Sequence, residues 1–295
     1  MSRDVLVVGA GPTGLTAALA LGRQGLDVRI VDAGEGPSVH SKALAVQSRT
    51  LEEFDLLDCA EALIRKGRKL QSARLHASGK EVGRLDLDRL DSPYPHILSV
   101  PQAETERVLI ASLEQHDIDV EWERRVTAVD PEDDRVEVEF DDGSQHQASW
   151  LLGCDGAHST IREQVGAGFD GEAIPTWFGL ADLELEGDIP TDFASAFLHH
   201  EGVAGLIPLP DESWFRLVAT LPGQPVDDEP LLDRDVLQSL LNERVIFDAE
   251  IEKMDWISSF QVQQRMVDAY RHGPIFLAGD AAHVHIPAGG QGMNT

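Results

Sequence analysis

Cysteine is nearly absent from this chain: 295 residues hold two, Cys59 and Cys154. Two thiols cannot build a disulfide framework, and their scarcity fits a reducing cytoplasm. No apolar run reaches the roughly 18 residues a membrane span needs. The opening Met1-Ser-Arg-Asp leads straight into a strand-like run, without the layout of a signal peptide. Positive charge is also scarce. There are 24 Lys and Arg against 52 Asp and Glu, a net charge of −28. Only five of the cations are lysines. So acidic a surface repels nucleic acid and anionic membranes, and its self-repulsion opposes compaction at low salt. Salt screens such charge. The expectation is an acidic, halophile-type protein that holds its fold in multimolar salt and loses it near about 0.1 M. Equal stability by circular dichroism in both would end that expectation.

What the chain does have is enough apolar residue to bury a core, 42% hydrophobic against 26% charged. Its length suits one large domain or two ordinary ones. Internal repeats and low-complexity tracts are missing.

Asp4-Val-Leu-Val-Val8 is a short β-branched run of the kind buried in parallel sheets. Gly9-Ala-Gly-Pro-Thr-Gly14 follows at once, then a helix from Leu15 to Gln24. Asp27–Val31 is a second strand with Asp32 at its tip. This is a βαβ unit with the dinucleotide fingerprint. Gly9 serves the tight turn, Gly11 the approach of backbone to a pyrophosphate, Gly14 the close packing of helix on strand. Pro12 and Thr13 open the helix, whose N-terminus directs N–H groups at the phosphates. Asp32 is placed to meet a ribose hydroxyl.

Further on, Lys42 and Arg49 stand near the start of a helix expected over Thr50–Lys66, as phosphate contacts or as a solvated helix start. Residues 70–90 alternate around Ser78-Gly79 and read as a hairpin. Gln102 opens a helix to His116, where it reaches a ligand or caps its own helix. Strands are expected over Val120–Thr127, Arg135–Phe140 and His146–Leu152. The last ends at Asp155-Gly156, before a short helix capped by Ser159. Residues 175–261 lack βαβ alternation and read as antiparallel strands (Trp177–Glu186, Ala194–His200, Gly205–Leu209, Trp214–Leu221, Ile257–Gln263) with a helix over Leu231–Arg244. The chain closes on Ile275-Phe-Leu-Ala-Gly279-Asp280 and a loop with Gly289, Gly290 and Gly292. An apolar strand ending in an acid and a glycine-rich loop is how open α/β sheets present ligand groups. His283 and His285 lie close together, but no third ligand accompanies them and no metal is expected.

Three ordered motifs make the chain resemble the FAD-dependent aromatic hydroxylases of the para-hydroxybenzoate hydroxylase type, nearest the phenol and polyketide hydroxylase branch. They are Gly9–Gly14, Cys154-Asp-Gly-Ala-His-Ser-Thr-Ile-Arg162 and Leu277-Ala-Gly-Asp280 through Gly292-Met-Asn294. The resemblance implies an α/β fold. A Rossmann-like FAD-binding domain of the glutathione-reductase type (1–70, 98–174, 262–295) would hold an inserted antiparallel-sheet substrate domain (71–97 and 175–261). Family members continue past Asn294 with a helix, so the chain is expected to be truncated there. In this resemblance FAD binds extended. Asp32 takes the adenosine ribose, Lys42 stands where the family has Arg, and Gln102 and Arg49 approach the cofactor. Val126 offers backbone near the adenine. Asp155 and Arg162 belong to a stretch linked to both FAD and the nicotinamide nucleotide. Gly279-Asp280 meets the ribityl chain. The N–H groups of Gly292, Met293 and Asn294 face the flavin's pyrimidine side. NADPH or NADH would reduce the flavin, O2 would add at C4a, and oxygen would pass to a small aromatic substrate. Arg216, His199, His200 and Trp177 are the candidates on the substrate side, each with a structural reading beside it. A same-fold reductase acting on isoprenoid or quinone substrates and an inactive FAD-binding fragment are the alternatives.

Overall fold

The computed structural model describes residues 3–39, 43–221, 223 and 232–295. The strand Arg3–Val8 is central to the first sheet because both its faces are apolar. Val5 and Val7 turn to one core, Leu6 and Val8 to another, all at most 6% exposed. The sheet runs in the order 271–272, Ile275–Leu277, Gln145–Gly153, Arg3–Val8, Val28–Val31, Val120–Glu121. All neighbours but the first pair are parallel. Helices α1 (Pro12–Arg23) and α4 (Gln102–Glu114) cover the Val5/Val7 face through Leu15, Leu19, Leu109 and Leu113. The hairpin Val126–Pro131/Val136–Phe140 covers the other.

Register decides what this sheet presents. Val31 pairs with Val8, Val8 with Gly153, and Gly153 with Leu277. Four parallel strands therefore end in one row. Their next residues, Asp32, Gly9, Cys154 and Ala278, leave the sheet along a single edge.

The second sheet has eight strands, ordered 283–284, Glu250–Val267, Phe169–Glu186, Trp214–Leu221, Gly202–Pro208, Phe193–His199, Ser72–Ala77, Lys80–Asp86. It is antiparallel except where Phe193–His199 meets Ser72–Ala77. The helix α6 (Arg234–Arg244) packs Leu237, Leu240 and Leu241 on one face, against Leu183, Leu217 and Ala219. A small sheet of 45–46, Ile97–Ser99 and Arg68–Leu70 sits between the large ones. It is tied to the second by Ser99 Oγ donating to Pro208 O at 2.5 Å, and by Arg68 Nε donating to Leu209 O at 2.7 Å.

Several elements differ from the sequence reading. The helix expected over Thr50–Lys66 is two, α2 (Ser48–Leu56) and α3 (Ala60–Ile64), because Asp58 takes φ 58° between them. The strand expected over Val120–Thr127 breaks at Glu123, φ 53°, whose N–H donates to Gly34 O at 2.8 Å. The strands read as Trp177–Glu186 and Ile257–Gln263 span Phe169–Glu186 and Glu250–Val267. Pro175 has no N–H to give a ladder. The register shifts between Ala173 and Trp177, and the proline rides in a bulge that lets the strand continue. The α5 helix (Thr160–Gln164) is capped as expected, with Ser159 Oγ accepting from Arg162 N at 2.9 Å.

Candidate functional site: a nucleotide cavity at the strand ends

A cavity of about 340 Å³ opens at the row of strand ends. Gly9, Gly11, Asp32, Gln102, Val126 and Asp155 of the sequence candidates line it. The three glycines differ in what surrounds them. A methyl on Gly9, which has φ +106°, would lie 2.3 Å from Cys154 O; one on Gly14 would lie 1.8 Å from Gly9 O. Both positions are filled by the protein's own backbone. A methyl on Gly11 would meet nothing within 4 Å, although Gly11 lines the cavity. That is the arrangement of a turn kept bare for a ligand. Gly11 is the N-cap of α1, no side chain caps the helix, and Pro12 stands at its start. The first-turn N–H groups and the positive end of the helix dipole are thus left to an anion. These residues fit a dinucleotide diphosphate.

Asp32 ties the turn together. Its Oδ2 accepts from Ala10 N at 2.6 Å and its Oδ1 from Gly34 N at 2.7 Å. Each carboxylate oxygen keeps a second lone pair for a hydroxyl. Asp155 acts first as a cap: it accepts from Ser159 Oγ at 2.5 Å and from Ile161 N at 3.1 Å. Cys154 lies between these turns, and burial, with the Asp155 charge behind it, pushes its thiol up to about 12. It stays protonated and unreactive at neutral pH.

Arg162 is not an exposed nucleotide contact. It is 5% exposed, and its guanidinium lies 3.9 Å from the Phe169 ring centroid. Nη2 donates to Ala157 O at 2.9 Å, and Nη1 to Ala281 O at 3.1 Å. Those carbonyls belong to the turns after Asp155 and Asp280, so this buried fork joins the second motif to the third.

The third motif turns at Gly279, φ +60°, where a methyl would lie 2.5 Å from Thr13 Oγ1. Asp280 is thereby held above the first turn of α1. The closing loop is strapped to α2 by Asn294. Its Oδ1 accepts from Gln47 N and Thr50 Oγ1, each at 2.8 Å; its Nδ2 donates to Ala45 O at 2.8 Å and Gly290 O at 2.7 Å. The N–H of Asn294 donates to Gln291 O at 2.9 Å in a 3-10 turn. Pro12, Thr13, Gly14, Gly279, Asp280, Gly292 and Met293 lie outside the cavity lining.

Arg49 is not brought to the cavity. It is 77% exposed and pairs with Glu52 at 2.8 Å and Glu53 at 2.5 Å on its own helix. Lys42 lies outside the described residues. On the second sheet, Arg216 is 2% exposed. Its Nε and Nη2 each donate to Asp182 at 2.7 Å, at a smaller cavity of about 210 Å³ walled by Trp256, Pro101 and Arg107. Trp177 packs on the core under α6. The rings of His199 and His200 lie 4.0 Å apart, tilted at 53°, and line neither cavity. Among the described residues no three His, Cys, Asp or Glu gather as a metal set, and no helix is long and apolar enough to cross a membrane.

The cavity also holds Glu106, Trp122, Arg124, Arg125 and His158, which the sequence reading missed. Two of these carried a signal: Glu106 stands four residues after Gln102, on the same face of α4, and His158 lies within the second motif.

The parallel sheet, its bare glycine turn and its strand-tip acid define a dinucleotide-binding protein of the Rossmann class. The chain belongs to the FAD binding domain family, whose profile matches residues 2–295. Its relatives are aromatic and polyketide FAD-dependent monooxygenases. It is 39% identical over 298 residues to 6-methylpretetramide 4-monooxygenase of Streptomyces rimosus, covering 99% of this chain and 53% of that protein. It is 32% identical to pentachlorophenol 4-monooxygenase of Sphingobium chlorophenolicum, covering 98% and 55%. The fold superposes on anhydrotetracycline hydroxylase from Streptomyces rimosus with TM-score 0.78 and 29% identity, covering 100% of this chain and 59% of that one. It also superposes on p-nitrophenol 4-monooxygenase from Pseudomonas putida DLL-E4, with TM-score 0.84 and 24% identity, covering 99% and 76%. The chain spans about half the length of these two curated relatives.

Proposed function

We propose that this chain is the FAD-binding and substrate-facing part of an NAD(P)H-dependent monooxygenase that hydroxylates a phenol-like or polyketide ring. The observation that carries the reading is the row of strand ends: Asp32, the glycine turn, Asp155 and Gly279-Asp280 leave one sheet edge together. An enzyme binding only a nicotinamide dinucleotide has no need of the last two.

Bound there, FAD supplies the redox chemistry, taking electrons from NADH or NADPH and passing them to O2. The chain's own groups bind and orient it. The first turn of α1 takes the diphosphate, Asp32 the adenosine ribose, and Val126 backbone the adenine. Gln102 and Asp280 take hydroxyls. Gly292 and Met293 lie on the loop that Asn294 holds against α2, which suits the pyrimidine edge. The first sheet, drawn from residues 1–70, 98–174 and 262–295, is the cofactor part. Residues 71–97 and 175–261, which carry most of the second sheet, are the substrate part, a cytoplasmic arrangement with no nucleic-acid partner.

Asp280→Ala is expected to lose FAD while keeping its circular dichroism, because Asp280 lies in a surface turn and not in a core. Flavin absorbance at the wild-type ratio in that variant would refute its role. For the activity, hydroxylated product from simple phenols or hydroxybenzoates with NADH or NADPH is the expected result. Oxidation of the nicotinamide with O2 uptake and no product would favour the reductase reading.

A further inference from the structure

A buried acid is unexpected in a cavity that receives a diphosphate. Glu106 is 2% exposed, yet it lines that cavity together with Asp32 and Asp155. As bare charge it would repel the cofactor. Its hydrogen bonds give it another task. Oε1 accepts from Gln102 Nε2 at 2.8 Å, and Oε2 accepts from Ser38 N at 3.1 Å. Gln102 lies one turn back on α4, and Ser38 lies on the segment that follows Asp32. An ionised carboxylate only accepts, whereas an amide has a donor end and an acceptor end. By engaging the donor end, Glu106 fixes which way the Gln102 amide faces. The acceptor end is then turned from Glu106, as suits a hydroxyl and not a phosphate oxygen.

We propose that Glu106 is a positioning residue of the cofactor cavity, orienting the Gln102 amide toward a hydroxyl of FAD and pinning Ser38 at the rim. The ligand rests on the cofactor reading above; the positioning rests on the two hydrogen bonds alone. Burial pushes the Glu106 carboxyl above the usual glutamate range, the Gln102 and Ser38 bonds oppose this, and the Asp32 charge adds to it. Asp32 is the acid facing it from the strand tip; Arg124, Arg125, Asp155 and His158 line the same cavity. Protonation removes an acceptor. FAD affinity therefore falls as pH is lowered through that raised range.

Two variants separate positioning from charge. E106D keeps the charge and draws the carboxylate back from both donors. E106Q keeps the length, removes the charge and sets a donor against Gln102 Nε2 or Ser38 N. Both are expected to weaken FAD binding about tenfold in fluorescence titrations of the flavin-free chain, as loss of one charge-assisted bond predicts. E106Q is also expected to lose the acid limb of the affinity profile that the wild type shows. In the flavin-free protein, both variants should speed hydrogen exchange at the Ser38 amide, a readout independent of FAD. Tighter binding by E106Q with unchanged binding by E106D would make Glu106 a mere charge and overturn the proposal. Unchanged Ser38 exchange in both variants would overturn it as well. A wild type that binds no FAD but shows the exchange effect would instead count against the cofactor reading.

Discussion

Asp182→Ala is expected to lower stability by about 3–5 kcal/mol, the cost of breaking a buried ion pair. Asp182 and Arg216 face each other across adjacent strands. Their side chains are 15% and 3% exposed, and the Arg216 guanidinium also lies 5.0 Å from the Trp256 ring centroid. Removing the carboxylate leaves a desolvated cation without its bidentate partner. Removing both charges is a smaller insult, since an apolar pair of similar volume often substitutes at little cost. Urea unfolding should therefore show Asp182→Ala far below wild type, and Asp182→Leu with Arg216→Met between them. A loss under about 1 kcal/mol, typical of an exposed pair, would show that water reaches Arg216.

The second large effect separates two glycines three residues apart. Gly14→Ala places a methyl 1.8 Å from Gly9 O. Neither partner is a flexible side-chain end, so α1 must move off the sheet. Overpacking of this kind costs about 1–3 kcal/mol and here also deforms the diphosphate turn, so stability and FAD binding should fall together. Gly11→Ala should separate them. Gly11 has φ −74°, which any residue adopts, and its methyl would enter open space. The melting temperature should hold, while FAD binding drops at least tenfold because the methyl occupies the approach of the diphosphate. Thermal melts and FAD titrations of both variants check this. A Gly11→Ala protein that binds FAD as wild type does would place the diphosphate elsewhere.

The βαβ unit was legible because its signals are local. Four β-branched or apolar residues, a glycine turn and an Ala/Leu-rich helix specify strand, turn and helix over a few residues each. The Ser159 cap was legible for the same reason. So were the antiparallel strands of residues 175–261, apart from the length of the two longest. Pro175 speaks against a continuous strand locally, and only pairing with Glu250–Val267 admits the bulge that accommodates it.

The residues of the site divide along the same line. From sequence alone, Gly9, Gly11, Gly14 and Asp32 could be given separate tasks, since the fingerprint carries its own geometry. Long-range register was not available. It sets Val31, Val8, Gly153 and Leu277 in one row and so gathers turns separated by more than a hundred residues. Nor could sequence divide the arginines. Arg49 is a helix-surface residue bound to its neighbours Glu52 and Glu53, Arg162 a buried fork between two turns, and Arg216 half of a buried pair. Each is an arginine beside a motif or an apolar strand. Burial and partners separate them, and both are set by segments distant in the chain. The class of cofactor and the strand-tip acids proposed to meet it could be read without the fold, because those depend on residue type and short spacing. The tertiary structure decided which charges are left to face that cofactor, because a charge's role follows from what buries it and what it is bonded to.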